Sequence, residues 1–413
     1  MQHVGPELKA SEPIAGDGAV ADPTPLIQKE ASAVPGLGKV QARQLLDYDL
    51  VALVLQGGGA LGAYQGGVFE ALCDAGIEPR WFSGVSIGAI NGAIMAGNPP
   101  GQRLDRLRDF WETLTKRKVW GFTPQGDQFR KLRNATSAMM TMNLGLPGFF
   151  RPHPISAWFA PPGADNATSF YDTAELRDTL NRLVDWDVLN GTEHRLSVGA
   201  VNVETGNFRY FDSAEERLGP EHIMASGALP PAFAPVKIEN DFYWDGGIVS
   251  NTPLQYLLEH EAIKDTLVFQ VDLFNAQGPL PRDMNAVLDR HKDITYSSRT
   301  RHNTDVFRRF HNMRLTLRDA LIRVPDANRT DADRAFLAEM VDIPQVNIIH
   351  MIYQKKIYEG HSLDHEFSGL SMREHWQAGL DDTRRTLNHR DWLSLPPETV
   401  GVAVHDIHHE AQD

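Results

Sequence analysis

The chain has 413 residues, 42% hydrophobic and 23% charged, and a net charge of -14. That is a globular composition, long enough for a large core, and its acidic balance argues against nucleic acid as a partner because phosphates and a negative surface repel. The one cysteine, Cys73, excludes an intrachain disulfide framework and fits a reducing, cytoplasmic setting.

Residues 1–48 are rich in Pro, Ala, Gly and acidic side chains, lack periodicity, and predict a disordered tail. Residues 1–25 lack the basic start and apolar run of a signal peptide, and no stretch of the chain approaches about 18 continuous apolar residues. Order is expected from Leu50. "LVALVLQ" (50–56) is an unbroken apolar run of strand length, as found where both faces of a parallel sheet are covered. A glycine loop follows, then "AYQGGVFEALCDAG" (63–76), with apolar residues at helical spacing and Gly76 as C-cap. "WFSGVS" (81–86) predicts a second strand and "IGAINGAIMAG" (87–97) a helix of small residues. Strand–loop–helix repeated twice in this way predicts an α/β protein with a mainly parallel sheet.

Residues 116–170 break the pattern. Met139, Met140, Met142, Leu144, Leu146, Phe149, Phe150, Trp158 and Phe159 are interrupted there by Pro and Gly. Flexible thioethers and aromatic rings suit an adaptable apolar lining, so this segment is read as a lid-like insertion or pocket wall, with a loop-rich part of the core as the alternative. Met139, Met142, Phe149 and Phe150 are its candidate pocket residues. Further strands are expected at "RLSVGAVNV" (195–203), "FRYFD" (208–212), "KIENDFYW" (237–244) and "TLVFQVDLF" (266–274). Beyond Gln277 the text turns helical and more basic, with ten Lys/Arg against five Asp over residues 282–323. That region predicts contact with an anionic lipid surface, or else a solvated face or a subunit contact in a homo-oligomer. "VNIIHMIY" (346–353) reads as a last strand, "SMREHWQAGLDDTRRTL" (371–387) as an amphipathic helix, and residues 401–413 as a polar tail.

Gly57, Gly59 and Gly62 match the dinucleotide pattern G-x-G-x-x-G. That reading requires an acidic residue after the second strand; Glu78 precedes the strand, which ends in Gly-Val-Ser. A phosphate-gripping loop would need Gly-Lys-Ser/Thr, and none follows. "GVSIG" instead puts Ser86 between Gly84 and Gly88 at a strand-to-helix turn, where a nucleophile elbow needs small flanking residues. The glycine loop then acquires a role: bare amides at Gly58, Gly59 and Ala60 would face the carbonyl oxygen under attack. The serine needs a proton acceptor. None of the 16 histidines sits in an evident motif. Asp245 in "FYWDGGIVSNTPL" stands just after an aromatic strand, where Gly246 and Gly247 permit a sharp turn; it is either that base or an Asx-type turn.

"GGGALG", "GVSIG", "ASGALPPAFAPV" (225–236) and "DGG", in that order, resemble the patatin-like phospholipase family, over about residues 50–275. The later region is similar to the carboxyl-terminal extension of a bacterial subgroup. The resemblance implies a three-layer α/β/α sandwich and a Ser–Asp dyad that uses no histidine, metal or cofactor. It makes Ser86 the nucleophile, Asp245 the general base, and Gly57, Gly58, Gly59 and Gly62 the oxyanion loop. It implies a catalytic domain over 49–275 and a mostly helical extension over 276–400 packed on it. The expected partner is a lipid ester of phospholipase A or lysophospholipase type, with an intracellular polyester or neutral ester as the alternative. A nucleotide-binding protein and a catalytically silent membrane scaffold are the rivals from other classes. Many members carry Lys or Arg where this chain has Leu61, which would imply a preference for less charged esters.

Overall fold

The computed structural model describes residues 48–116, 126–164, 166–260, 264–297, 300–340, 343–356, 358–359 and 363–407. The tail expected over 1–48 lies outside them apart from Tyr48, and so do residues 408–413. In chain order the elements are β1 (Leu50–Leu55), α1 (Ala63–Asp74), β2 (Trp81–Gly84), α2 (Ile87–Ala96), α3 (Pro100–Leu114) and α4 (Asp127–Leu144). Then come β3 (Arg151–Pro152), β4 (Tyr171–Asp172), α5 (Ala174–Leu183), α6 (Trp186–Leu189), β5 (Arg195–Asn202), β6 (Phe208–Asp212), α7 (Pro220–Ser226), β7 (Val236–Ile238) and β8 (Asp241–Asp245). Last are α8 (Leu254–His260), β9 (Thr266–Asp272), α9 (Met284–Tyr296), α10 (Thr300–Ile322), α11 (Asp331–Glu339), β10 (Val346–Ile352), α12 (Gly369–Leu387) and β11 (Val402–His405).

The central sheet runs β11-β10-β9-β1-β2-β5-β8-β7, with β6 also paired to β5. From β11 to β5 every pairing is parallel; β6, β7 and β8 add the antiparallel edge. The pleat explains the continuous apolar strands, because successive side chains leave opposite faces. Leu53 and Leu55 of β1 join the larger core cluster, with Leu61, Val68, Ile90 and Trp111. Leu50, Ala52 and Val54 face a second cluster with Leu254, Leu257, Ile348 and Val402. Helices therefore cover both faces, which makes the three-layer α/β arrangement. Successive strands leave β1 toward β2 on one side and toward β9 on the other, so the crevice beyond the carboxyl ends of these strands is a topological switch point.

The region after residue 276 is built into this sheet as well as onto it. β10 pairs with β9 over seven residues, and β11 extends the edge beyond it. Residues 402–405, expected within a polar tail, are that edge strand, because Val402 is needed to close the second core cluster. On the other face α12 lies against α1 at backbone contact distance. A Cβ on Gly67 would stand 1.8 Å from the Trp376 carbonyl oxygen, and one on Gly379 would stand 2.1 Å from that of Tyr64. Contacts gather the described residues into one unit.

A methyl group at this seam has nowhere to go. Gly67→Ala is expected to cost about 3 kcal/mol in chemical denaturation. Gly101→Ala, where the added methyl meets no atom within 4 Å inside α3, should be neutral or stabilising by about 0.5 kcal/mol.

Candidate active site

β1, β2 and β8 end at one place. β2 delivers Ser86 through a turn so tight that its backbone sits at φ 56°, ψ -123°, a region side chains rarely occupy. The turn exists because its neighbours have no side chains: a Cβ on Gly84 would lie 2.4 Å from the Gly88 carbonyl oxygen, and one on Gly88 would lie 2.2 Å from that of Leu55. Strain of this kind costs about 1–3 kcal/mol and persists only where surrounding contacts impose it. Those contacts are visible. The Ser86 N–H donates to Ser226 Oγ (3.0 Å) and to the Ser226 carbonyl (3.1 Å), and the Ser226 hydroxyl donates to the Gly199 carbonyl (2.7 Å). The "ASGALPPAFAPV" segment thus holds the elbow, and its Leu229, Pro231, Ala232 and Phe233 line the cavity next to it. α2 begins at Ile87, so the positive end of its dipole lies at Ser86.

Asp245 ends β8, buried, its N–H donated to the Ala228 carbonyl (3.0 Å). One carboxylate oxygen accepts the Gly247 N–H at 2.7 Å, so the Asx-type turn and the facing carboxylate are one arrangement. Burial pushes the carboxyl from 3.8 up to about 7, against hydrogen bonds from the Ser86 hydroxyl and the Gly247 amide, which pull it down. Gly246 fits because a Cβ there would press on the Gly199 carbonyl at 2.5 Å.

The glycine loop closes the third side. Gly57, Gly58 and Gly59 line the cavity with Ser86, Ile87 and Asp245. Their amides are not equivalent. The Gly57 N–H donates to the Asn251 carbonyl (3.3 Å), and the Gly57 carbonyl accepts from Asn251 Nδ2 (3.1 Å). The expectation that the Gly57 amide faces the reacting oxygen is therefore corrected: Gly57 is a clamp point. Among the described residues nothing accepts from the N–H of Gly58, Gly59 or Ile87. Ala60 and Gly62 do not line the cavity; Gly62 sits beneath Ile87 and Trp111, its carbonyl accepting from Asn91 Nδ2 (3.0 Å). Leu61 is wholly buried and also outside the lining, so its lack of charge carries no message about the substrate.

The cavity holds about 310 Å³. Phe149 and Phe150 line it, in an aromatic group where Phe150 is 4.8 Å from Tyr171 and 5.4 Å from Phe233. Met142 lines its mouth. Met139 does not: on α4 the inward positions are Ser137, Ala138 and Thr141, and Met139 falls off that face into solvent. Several lining residues carried no sequence signal. Tyr296, Asp364, His365 and Phe367 all come from beyond residue 276, and the Asp364 carbonyl packs onto Gly59. Asn251, six residues past Asp245, also ties the Gly57 loop to the Tyr296 carbonyl (2.9 Å).

A family model described as patatin-like phospholipase matches residues 53–258, and a second, described as patatin phospholipase, matches residues 294–399. The chain belongs to the patatin-like phospholipase family. Both the patatin elbow and the patatin DGG turn fall inside the first match. The chain is similar to patatin-like phospholipase domain-containing protein 7 of Mus musculus and of Rattus norvegicus, 26% identical to each over 211 residues. Those residues are 51% of this chain, which spans 13% of the length of these curated relatives. Among solved structures it is similar to the crystal structure of VipD from Legionella pneumophila, at 17% identity and a TM-score of 0.38, covering 83% of this chain and 67% of that one.

Two stability measurements probe this site. Ser86→Gly should recover about 1–2 kcal/mol relative to Ser86→Ala, because only glycine tolerates the left-handed backbone without strain. Because the raised carboxyl of Asp245 binds its proton more tightly in the folded state, its stabilisation is present at low pH and lost as pH rises through about 7. Asp245→Asn should therefore raise Tm by several degrees at pH 8 and by almost nothing at pH 4.

Proposed function

We propose that the protein hydrolyses carboxylic esters of lipids, with Ser86 as nucleophile and Asp245 as general base. One observation carries the reading: a strained serine at the head of α2 and a buried carboxylate raised to about 7 share the wall of one apolar cavity. Asp245 takes the hydroxyl proton as Ser86 Oγ attacks the carbonyl carbon. The oxyanion lies against the amides of Gly58 and Gly59 and the α2 terminus, each good donor contributing roughly 3–4 kcal/mol. As the tetrahedral adduct collapses, the C–O bond to the alcohol breaks and Asp245 returns the proton to that oxygen. Water then attacks the acyl-enzyme, gives its proton to Asp245, and the acid leaves as Ser86 recovers its hydrogen. A free carboxylate is a weak base, and desolvation supplies the missing basicity. Cys73 is no rival nucleophile, since burial pushes its thiol up to about 11.

The substrate class rests on the lining, which is mostly aliphatic and aromatic, with Thr141, Tyr171, Asn251, Tyr296, Asp364 and His365 as its polar members besides Ser86 and Asp245. Phospholipids and lysophospholipids are the first reading and neutral or polyester substrates the second. The family favours the first.

Ser86→Ala and Asp245→Asn should each lower ester kcat/KM by about 10³-fold or more, and Ser86→Ala should abolish labelling by a fluorophosphonate. The kcat/KM of the unmodified enzyme should rise with pH through a midpoint near 7, since the base must be ionised before it accepts a proton. His365, the histidine on the cavity wall among the described residues, tests the rival: His365→Ala should keep most of the activity, and a collapse to the Ser86→Ala level would replace Asp245 with a histidine base. Phe150→Ala should shift preference across a series of ester chain lengths toward longer or bulkier acyl groups, and an unchanged profile would remove Phe150 from the acyl pocket.

A further inference from the structure

α4 is amphipathic in the reverse sense. Its buried side is small and polar: Ser137, Ala138 and Thr141. Its exposed side carries Phe129, Leu132, Met139 and Met142, recurring at nearly every third or fourth position, with the first three more than 60% exposed. A helix normally turns such a stripe to the core. The chain after β3 adds Trp158 and Phe159, each 83% exposed. This segment leaves from the same place: β3 pairs with β4, and the Tyr171 hydroxyl at the start of β4 donates to the Met142 carbonyl at 2.8 Å.

Two further observations say what covers this face. It is continuous with the cavity, because Met142 and Phe170 both line the mouth and remain exposed. Its charge also runs against the rest of the molecule. In a chain of net charge -14, residues 128–164 contain no Asp or Glu, and Arg130, Lys131, Arg133 and Arg151 are their only Lys or Arg; Arg130 pairs with Glu374 and Arg151 with Glu175, which leaves Lys131 and Arg133 as the cations without an acidic partner among the described residues. An apolar stripe ending in adjacent aromatic side chains and bordered by cations matches a lipid–water interface with anionic headgroups. In the basic stretch 282–323, three of the ten Lys/Arg are engaged within the fold: Arg290 with the Asn275 and Ala276 carbonyls, Lys292 with Asp364, Arg318 with Glu398.

We propose that α4 and the Trp158–Phe159 segment seat the protein on an anionic phospholipid surface, so that the cavity mouth opens onto the lipid. The proposal rests on the acyl hydrolase reading for the purpose of the contact. An acyl chain then passes from the bilayer along Met142 and Phe170 into the cavity without crossing water.

Co-sedimentation with phosphatidylcholine vesicles, with and without phosphatidylglycerol, tests it on the full chain. The unmodified protein should partition to the vesicles, more strongly with phosphatidylglycerol. The double variant Trp158→Ala/Phe159→Ala and, separately, Leu132→Asp should each weaken partitioning by about tenfold. Both should hydrolyse a water-soluble short-chain nitrophenyl ester at the unmodified rate, which also reports that they fold. Partitioning unchanged in both variants would overturn the proposal. So would an unmodified protein that ignores vesicles and forms a dimer that the variants abolish, which would assign the face to a second copy. Vesicle binding that responds to these variants in a protein without soluble-ester activity would uphold the docking face and defeat the hydrolase reading instead.

Discussion

The site depends on one unfavourable act, the burial of the Asp245 carboxylate beside Ser86. A carboxylate removed from water normally recruits a cation. Among the described residues none acts on Asp245; its compensation is one backbone N–H and one hydroxyl. A nearby Arg or Lys would have stabilised the fold and pulled the carboxyl down. Stability is thus given up at Asp245, whose carboxyl is raised by burial, and at Ser86, whose backbone is strained. Both costs are borne by the wide sheet and by the close backbone packing around them.

The cavity is assembled from distant parts of the chain. β1 and β2 bring the glycine loop and Ser86 together by parallel pairing, and β8 brings Asp245 by antiparallel pairing with β5. The part after residue 276 closes the far wall: Tyr296 through its carbonyl, Asp364 by resting on Gly59, Phe367 by stacking on Trp111 at 6.4 Å. β10 and β11 extend the sheet, and α12 packs on α1 through paired glycines. The terminal third of the chain is therefore part of the wall of the cavity, and the matches on either side of β9 describe pieces of one fold.

α4 joins this architecture to its surroundings. Its polar side faces inward, where Thr141 reaches the cavity, and its apolar side faces outward. Within an isolated soluble domain that orientation is a hydrophobic cost with nothing to offset it. Against lipid it becomes the favourable one, and the same methionine serves the outer face and the mouth.

Local chemistry was legible from residue order alone. The apolar runs named β1, β5, β9 and β10, because strands covered on both faces have no polar side to show. Gly84, Ser86 and Gly88, and Asp245 with Gly246 and Gly247, declared themselves because only bare backbone fits turns so tight. Hydrogen-bond partners across the chain were not legible. That Gly57 is spent on Asn251 while Gly58 and Gly59 are not follows from where residue 251 returns in space. The phase of α4, which turns Met139 outward, is set by its neighbours, since its own pattern allowed the stripe to face either way. The burial of Leu61 and the pairing of residues 402–405 with β10 were decided in the same way. Turn geometry is a property of a few adjacent residues and is written in them; exposure, pairing and the raised carboxyl of Asp245 belong to whatever the rest of the chain places alongside.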